Sequence, residues 1–365
     1  MAISTIERFY DGGEDFSGAT LNGVFLAKLY RIPSVPSTYL VNPSEITVSA
    51  GGNGRTSNGT IAYARQYATG GTARLSFLPT GSPTTLVMGY ALSSNTTANP
   101  GRELLAVRYQ GQDIFVLKVN NAKKLELYSA SATLLGTSTL DAIGLGIPTY
   151  RYVEVGLYLN GASSTIEIRI SNTTQISWTG TLSQSVFDEI QFRHTGANSA
   201  TLHDDIYIHY GTGSIATSDY LGDIAVYAIL PDADGSPLEW ARTTGSVNYQ
   251  RIDNIPIADP PTEYLFEDTN GQKNYSSMDA LNAGATSIVG VSLVCYLGKG
   301  GFGGSAVNTK VKYKSSGGTE YDGSTFTLTP DYQYYRHTWV TSPASGTAWT
   351  KAEIDAGFFG VEKVV

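Results

Sequence analysis

The 365-residue sequence contains a single cysteine and no long apolar run. One cysteine excludes an internal disulfide framework, because each disulfide needs two. No apolar stretch approaches about 18 residues, the length that a membrane-spanning helix requires, so we expect no membrane span. The N-terminus lacks a basic region followed by an apolar core, and we therefore expect no signal peptide. Heptad repeats are also missing, which excludes assembly through a coiled coil.

Charge is scarce and negative. Charged residues make up 15% of the chain, against roughly 25% in average globular proteins. The formal net charge is −8, and the longest basic run is Lys123-Lys124. Proteins that bind nucleic acids need basic patches to replace the counterions around phosphates. We therefore expect no nucleic-acid partner.

Catalytic signatures are missing as well. The chain has no P-loop, and it has no Gly-x-Ser-x-Gly nucleophile elbow. Retaining glycoside hydrolysis needs two carboxylates about 5 Å apart. Glu126, Glu154 and Glu167 each stand alone on their predicted strands. We predict that the chain is not an enzyme, and a polysaccharide hydrolase is the weakest alternative.

Instead, the sequence is rich in residues typical of β-sheets and turns. It holds 40 glycines and 24 tyrosines, and 11% of its residues are aromatic. Segments of alternating polarity recur every 10 to 15 or so residues, as in sandwiches, barrels and jelly rolls. The clearest pair is Tyr150 to Leu159 with Thr165 to Ile170, joined by the loop Asn160-Gly-Ala-Ser-Ser164. We predict an all-β chain of two β-sandwich domains, the first a jelly roll.

The boundary between the domains lies near residue 230. Leu202 to Tyr210 has the alternation of a strand that closes the first sandwich, and Leu221 to Leu230, apolar on both faces, predicts a strand that is covered on two sides. We assign 1–230 to the first domain, 231–262 to a connector rich in proline and glycine, and 263–365 to the second domain.

One short helix is predicted near the C-terminus, over about 351–356. Thr350 followed by Glu353 has the spacing of a capping box, in which each residue binds the other's backbone N–H. Gly357 then fits the left-handed position that often ends a helix.

Several tracts carry a resemblance to a known family. Phe187 to Phe192 and Asp204 to Ile208 resemble the closing strands of concanavalin A-like, laminin-G-like jelly rolls. The tracts beyond them, together with those two, are similar to tailed-bacteriophage virion proteins that join a lectin-like sandwich to a second β-domain. Those further tracts are Asp219 to Val226, Leu230 to Gly235, Asn248-Tyr249, Asp253, Trp339, Pro343 to Thr350 and Phe359 to Val361.

The resemblance implies a structural virion protein, in a tail, baseplate or fibre appendage that attaches to the host surface. The main alternative is a lectin-like, carbohydrate-binding receptor-recognition module. A capsid decoration protein is a further alternative. We expect other virion proteins and a homo-oligomer, such as a trimer, as partners, together with a host-surface glycan. The expected location is the virion, after synthesis in the host cytoplasm.

Two kinds of binding site are predicted in the first domain. Trp178, Tyr63 and Tyr109 are candidates for stacking on sugar rings, because flat amphipathic side chains suit this contact. Asp204 and Asp205 are candidate Ca²⁺ ligands, because hard cations take several oxygen ligands. The competing interpretation is that these two carboxylates accept backbone hydrogen bonds where a strand begins. No other cofactor is expected.

Overall fold

We describe the fold from a computed structural model of the chain. The structure describes residues 4–11, 40–41, 46–50, 59–65, 72–94, 101–145, 149–195, 199–253, 263–299 and 306–364. The chain divides into two compact units, Met1–Val226 and Tyr227–Val365. Among the described residues, no helix has the length and apolar content needed to cross a membrane.

In the part of the chain that the structure describes, the N-terminal unit consists of strands arranged in two sheets, which are antiparallel except at one short pair. Its sixteen strands are β1 (Ser4–Asp11), β2 (Leu40–Val41), β3 (Ile46–Ala50), β4 (Gly59–Arg65), β5 (Thr72–Phe77), β6 (Thr85–Ser94), β7 (Arg102–Tyr109), β8 (Gln112–Val119), β9 (Lys124–Ser129), β10 (Leu134–Asp141), β11 (Gly144–Leu145), β12 (Arg151–Tyr158), β13 (Ser164–Ile170), β14 (Thr173–Gly180), β15 (Glu189–Thr195) and β16 (Ser199–Thr212).

The first sheet runs in the order β14-β13-β12-β6-β16-β4-β3, with β1 beside β16, and with β11 beside β6 and parallel to it. The second runs β10-β9-β8-β7-β15-β5-β2. Aromatic rings bridge them: Tyr90 of β6 lies 5.9 Å from Phe192 of β15, and Phe77 of β5 lies 6.0 Å from Tyr210 of β16. The predicted all-β jelly-roll sandwich is therefore confirmed, as is the β12–β13 hairpin, whose Val155 pairs with Ile168.

A β-bulge interrupts β16 at the two aspartates. Asp204 pairs with Ala91 and Tyr207 with Gly89, so β16 has one residue more than β6 across this step. Asp205 takes a left-handed conformation with φ of 50°. Such a bulge reverses which side chains face the core. His203 accordingly lies in the core, 5.0 Å from the ring of Tyr90.

The predicted strand over Leu221 to Leu230 is wrong, because the structure has no strand there. The backbone N–H groups of Leu221, Gly222 and Val226 bind side chains rather than a neighbouring strand. Leu221 N donates to the Tyr207 hydroxyl (3.2 Å), and Gly222 N donates to Glu154 Oε1 (2.8 Å). Side chains that satisfy the backbone in this way replace the hydrogen bonds of a sheet.

The C-terminal unit is also built of antiparallel strands. Its strands and helix are β17 (Pro231–Leu238), β18 (Ala241–Arg242), β19 (Leu265–Phe266), β20 (Lys273–Met278), β21 (Val291–Leu297), β22 (Asn308–Lys314), β23 (Glu320–Thr327), β24 (Gln333–Trp339), α1 (Lys351–Asp355) and β25 (Phe358–Val364). The main sheet runs β17-β20-β25-β22-β23, while β21 pairs with β24 and β18 with β19.

The expected connector over 231–262 differs from what the structure contains. Its first part, β17, is an edge strand of the main sheet, with Asp234 paired to Ser276. An edge strand has one side without sheet partners, and for this reason it tolerates proline. The breaker residues of this segment thus indicate a sheet edge rather than a linker.

Aromatic packing forms the core of the C-terminal unit. Tyr313 of β22 lies 5.0 Å from Trp349 and 5.1 Å from Phe359, and Trp339 of β24 lies 6.4 Å from Tyr313. These rings join the main sheet to the β21–β24 pair. Cys295 is half-buried at the margin of this core, where burial raises the pKa of its thiol to about 12.

The capping box of the short helix α1 is confirmed. Glu353 N donates to Thr350 Oγ1 (3.2 Å), and Thr350 N donates to Glu353 Oε2 (2.9 Å). Hydrogen bonds from Ser342 and Thr350 lower the pKa of Glu353 to about 2. The left-handed conformation expected of Gly357 is not found. Instead a Cβ at this position would lie 2.6 Å from the ring of Tyr313, so close packing requires the glycine.

Candidate functional site

The outer face of the second sheet carries a continuous set of charged and polar side chains. Leu75 and Phe77 of β5, and Ile190 and Phe192 of β15, are fully buried between the sheets. Side chains alternate along a strand, so the residues between these point to the opposite face. We call this surface the charged face. It comprises Arg74 and Ser76 of β5, Glu103 and Arg108 of β7, Asp113 of β8, and Glu189, Gln191 and Arg193 of β15.

Two arginines hold three carboxylates on the charged face. Arg193 donates to both oxygens of Asp113, at 3.0 and 2.6 Å, and also to Glu103 Oε2 at 3.0 Å. Arg108 donates to Asp113 Oδ1 at 2.9 Å and to Glu189 Oε2 at 2.8 Å. Bidentate pairs of this kind fix the planes of both partners. The charged face is thus rigid before any ligand arrives.

At the buried end of the network, hydrogen bonds likewise satisfy the carboxylate of Glu189. Ser76 Oγ and Gln191 Nε2 both donate to Glu189 Oε1, at 2.5 and 2.6 Å. Because Arg108 occupies the other oxygen, every oxygen of Glu189 has a partner. Gln191 in turn accepts from Arg193 Nε at 2.7 Å.

The ion pairs keep the network charged at neutral pH. Burial alone would raise the pKa of Asp113, but the hydrogen bonds and charges of Arg193 and Arg108 outweigh burial and lower it. Burial likewise opposes the charge of Arg193, whereas Asp113 and Glu103 raise its pKa. Asp113 is therefore ionised at neutral pH and serves as a hydrogen-bond acceptor, not as a general acid.

Arg74 differs from the other arginines of the charged face. It pairs directly with Arg193 across β5 and β15, which places two like charges opposite each other. Arg74 makes no hydrogen bond or ion pair with the part of the chain that the structure describes, and its Nε is buried without a partner. Burial and then the charge of Arg108 lower its pKa.

A polar pocket of about 350 Å³ opens at one end of the charged face. This volume falls in the range of roughly 300 to 1,000 Å³ that is usual for small-molecule sites. The side chains of Arg108 and Asp113 are only partly buried there, with 15% and 29% of their surface exposed. Gln112, the first residue of β8, also lines it, and the remaining lining residues come from turns and loops: Gly111, Ala130, Ser183 and Gln184.

The three predicted sugar-stacking residues do not form one site. Tyr109 ends β7 beside Arg108, at the margin of the pocket. Trp178 lies on β14, the edge strand of the other sheet, where its half-buried ring packs against Gly180. Tyr63 lies on β4 of the first sheet, and its side chain is outside the described residues. Only Tyr109 is near the charged face.

The two predicted calcium ligands are engaged by the protein backbone. Asp205 N donates to Asp204 Oδ1 (2.8 Å), and Val226 N donates to Asp205 Oδ1 (2.7 Å). Both residues are almost fully buried. Nowhere in the described ranges do three or more His, Cys, Asp or Glu side chains cluster as a metal site would require. The arrangement corresponds to the backbone-binding interpretation of this pair.

The charged face itself was not predicted as a site. Its signal was present as the alternation Arg74-Leu-Ser-Phe77 and Glu189-Ile-Gln-Phe-Arg193, in which every second residue is polar. Alternation of this kind equally describes a solvated sheet surface. That these groups meet is shown only by the pairing of the strands. The register of β5 and β15 places Arg193 beside Arg74, and the register of β7 and β8 pairs Arg108 with Asp113.

Comparisons with known proteins found matches among solved structures alone. No protein-family model matches the sequence, and no curated protein matches it. The solved structures include a cellulose-induced protein, Cip1, with a TM-score of 0.35 and 11% identity over 47% of this chain and 88% of that one. The carbohydrate-binding module CBM66 from Bacillus subtilis has a TM-score of 0.29 and 12% identity over 45% and 91%.

An alginate lyase from Corynebacterium sp. is also similar, with a TM-score of 0.29 and 12% identity over 56% of this chain and 94% of that one. At such values the likeness extends to the sandwich architecture and identifies no residue. It corrects one prediction, however. The expectation that the chain is not an enzyme is contradicted, because enzymes that act on polysaccharides are among the structures it resembles.

Proposed function

We propose that the chain binds a glycan through the charged face and the pocket at its end. The observation that carries this proposal is the rigid network in which Arg193 and Arg108 share Asp113 beside a 350 Å³ pocket. Sugar hydroxyl groups both donate and accept hydrogen bonds. Fixed carboxylates and guanidinium groups supply both functions at low entropic cost, since the side chains are already ordered.

The direct test is binding of the purified full chain to an array of glycans, followed by variants of the pocket. Ser183 is exposed and lines the pocket without taking part in the ion pairs. Ser183→Trp should fill the pocket and abolish retention of the glycans that the unmodified chain retains. Arg108→Gln should weaken the same binding at least tenfold, because it removes a charged donor.

Trp178→Ala is the matched control, because Trp178 lies on the other sheet. We expect it to retain the same glycans with unchanged affinity. Retention of no glycan by the unmodified chain would refute the proposal. Loss of binding in Trp178→Ala with binding kept in Ser183→Trp would move the site to the rim of the sandwich.

We further propose that this binding takes place on a phage particle, where the chain is a homo-oligomeric structural protein of a tail, baseplate or fibre. The support is the resemblance of Asp219 to Val226 and of Pro343 to Thr350 to virion proteins. Mass spectrometry of purified particles tests the location, and light scattering at micromolar concentration tests the oligomer. Absence of the chain from particles would refute the location and leave the glycan proposal unaffected.

A further inference from the structure

The charged face carries three arginines and three carboxylates, and Arg74 is the one arginine that forms no ion pair with a described residue. Glu103, Asp113 and Glu189 each bind Arg108, Arg193 or both. Lys118 makes a further pair with Glu103, at 3.3 Å. None of these carboxylates hydrogen-bonds to Arg74.

At the position of Arg74, no carboxylate of the charged face is free to form an ion pair with it. Glu189 and then Asp113 contribute favourable charge at Arg74. Both oxygens of Glu189 are occupied by Ser76, Gln191 and Arg108, and both oxygens of Asp113 are bound by Arg193. Arg193, which is directly opposite, contributes a like charge. Arg74 therefore has no acceptor among the described residues, and a partly buried donor without an acceptor costs free energy.

We infer that the glycan is acidic and that Arg74 binds its anionic group, a carboxylate or a sulfate ester. This inference depends on the proposed glycan binding and specifies the class of ligand. A guanidinium group presents donors in a planar fork that matches the oxygens of either group. Each neighbouring carboxylate is paired with Arg108, Arg193 or both, and Lys118 adds a further pair at Glu103, which reduces their repulsion of such a ligand. They remain acceptors for the hydroxyl groups of the same sugar.

Isothermal titration calorimetry of the full chain with three oligosaccharides of equal length tests the inference. The first is an oligouronate, the second is its carboxyl-reduced neutral counterpart, and the third is a sulfated derivative of that neutral sugar. We expect one anionic ligand to bind at least tenfold more tightly than the neutral one, with an affinity that falls as salt increases. Whichever of the oligouronate and the sulfated sugar binds more tightly identifies the anionic group that Arg74 recognises.

Arg74→Gln should remove the preference and leave affinity for the neutral sugar within about twofold of that of the unmodified chain. Arg74→Lys should keep part of the preference, because it keeps the charge but loses the planar fork. Arg151→Gln is the matched control, since Arg151 is exposed on β12 of the other sheet and carries the same charge. We expect it to bind like the unmodified chain.

The outcomes separate this inference from the proposal on which it rests. An anionic preference that survives in Arg74→Gln, or neutral and anionic sugars that bind equally, overturns the inference and leaves glycan binding intact. Binding of no sugar to a chain that also retains nothing on the array overturns both. Thermal unfolding shows whether Arg74→Gln is folded, and we expect its midpoint to be no lower than that of the unmodified chain.

Discussion

The two sheets of the N-terminal unit both carry polar groups on their outer faces, but they satisfy those groups differently. On the first sheet, Glu154 accepts hydrogen bonds from the Tyr207 hydroxyl (2.5 Å) and from Gly222 N (2.8 Å). Asp205 accepts from Val226 N. The chain that follows β16 therefore completes this face. On the second sheet, carboxylates pair with arginines, and Arg74 has no acceptor among the described residues.

Under the proposed function, similar polar content serves stability on one face and recognition on the other. A buried carboxylate that binds backbone amides is needed by the fold, since its loss leaves donors unsatisfied. An arginine that pairs with no described residue contributes little to the fold, and in our proposal it binds the ligand. Polarity and burial alone do not distinguish the two faces. The partners of the charged groups do, because Glu154 accepts from a hydroxyl and a backbone amide, whereas Arg74 binds no described residue.

The largest effect should follow removal of Glu154. In Glu154→Ala the Tyr207 hydroxyl and Gly222 N lose their acceptor inside the protein, at a cost of about 3 kcal/mol of unfolding free energy. Urea denaturation measures it. Asp141→Ala, an exposed acid on the edge strand β10, is the control and should change stability by less than about 0.5 kcal/mol. Equal values for the two variants would contradict a structural role for Glu154.

A smaller loss of unfolding free energy should follow when a side chain is added at a crowded position on the same face. A Cβ at Gly89 would lie 2.4 Å from the ring of Tyr207 and 2.8 Å from that of Tyr152. Gly89→Ala should therefore displace both tyrosines and cost about 2 kcal/mol, as overpacked cores do. Gly317→Ala has only one atom within 4 Å of the new Cβ and should be nearly neutral. A neutral Gly89→Ala would show that the tyrosines move freely.

A substitution on the charged face should lower the unfolding free energy by less still. Asp113→Asn weakens the ion pairs with Arg193 and Arg108, and we expect a loss of about 1 kcal/mol because the carboxylate is partly solvated. Since its pKa is lowered in the folded state, this contribution is present above about pH 4 and is lost as pH falls through the lowered value. Denaturation at pH 7 and pH 3 should show a larger difference between variant and unmodified chain at pH 7 than at pH 3.

The sequence allowed prediction of most strands, because alternation of polarity reports directly on a half-buried sheet. It failed at Leu221 to Leu230, where apolar content suggested a strand and side-chain acceptors hold an irregular segment. Those acceptors come from distant strands, so no local pattern encodes them. Prediction of the site failed for a similar reason. Arg74 and Arg193 are far apart in sequence, and the register alone brings them together.

One pair of variants tests the comparison most directly, since both sheets carry an outward arginine. Arg169 on the first sheet donates to Glu167 at 2.7 Å and lies 3.6 Å from the ring of Tyr220, whereas Arg74 has no such partner. We predict that Arg169→Gln lowers the unfolding free energy by about 0.5 to 1 kcal/mol and leaves affinity for the acidic oligosaccharide unchanged.

Arg74→Gln should do the reverse, with unchanged or slightly increased stability and at least a tenfold loss of affinity for the same acidic oligosaccharide in calorimetry. Together the two variants assign stability to one face and recognition to the other. A loss of stability in Arg74→Gln together with unchanged affinity for the acidic oligosaccharide would contradict this account.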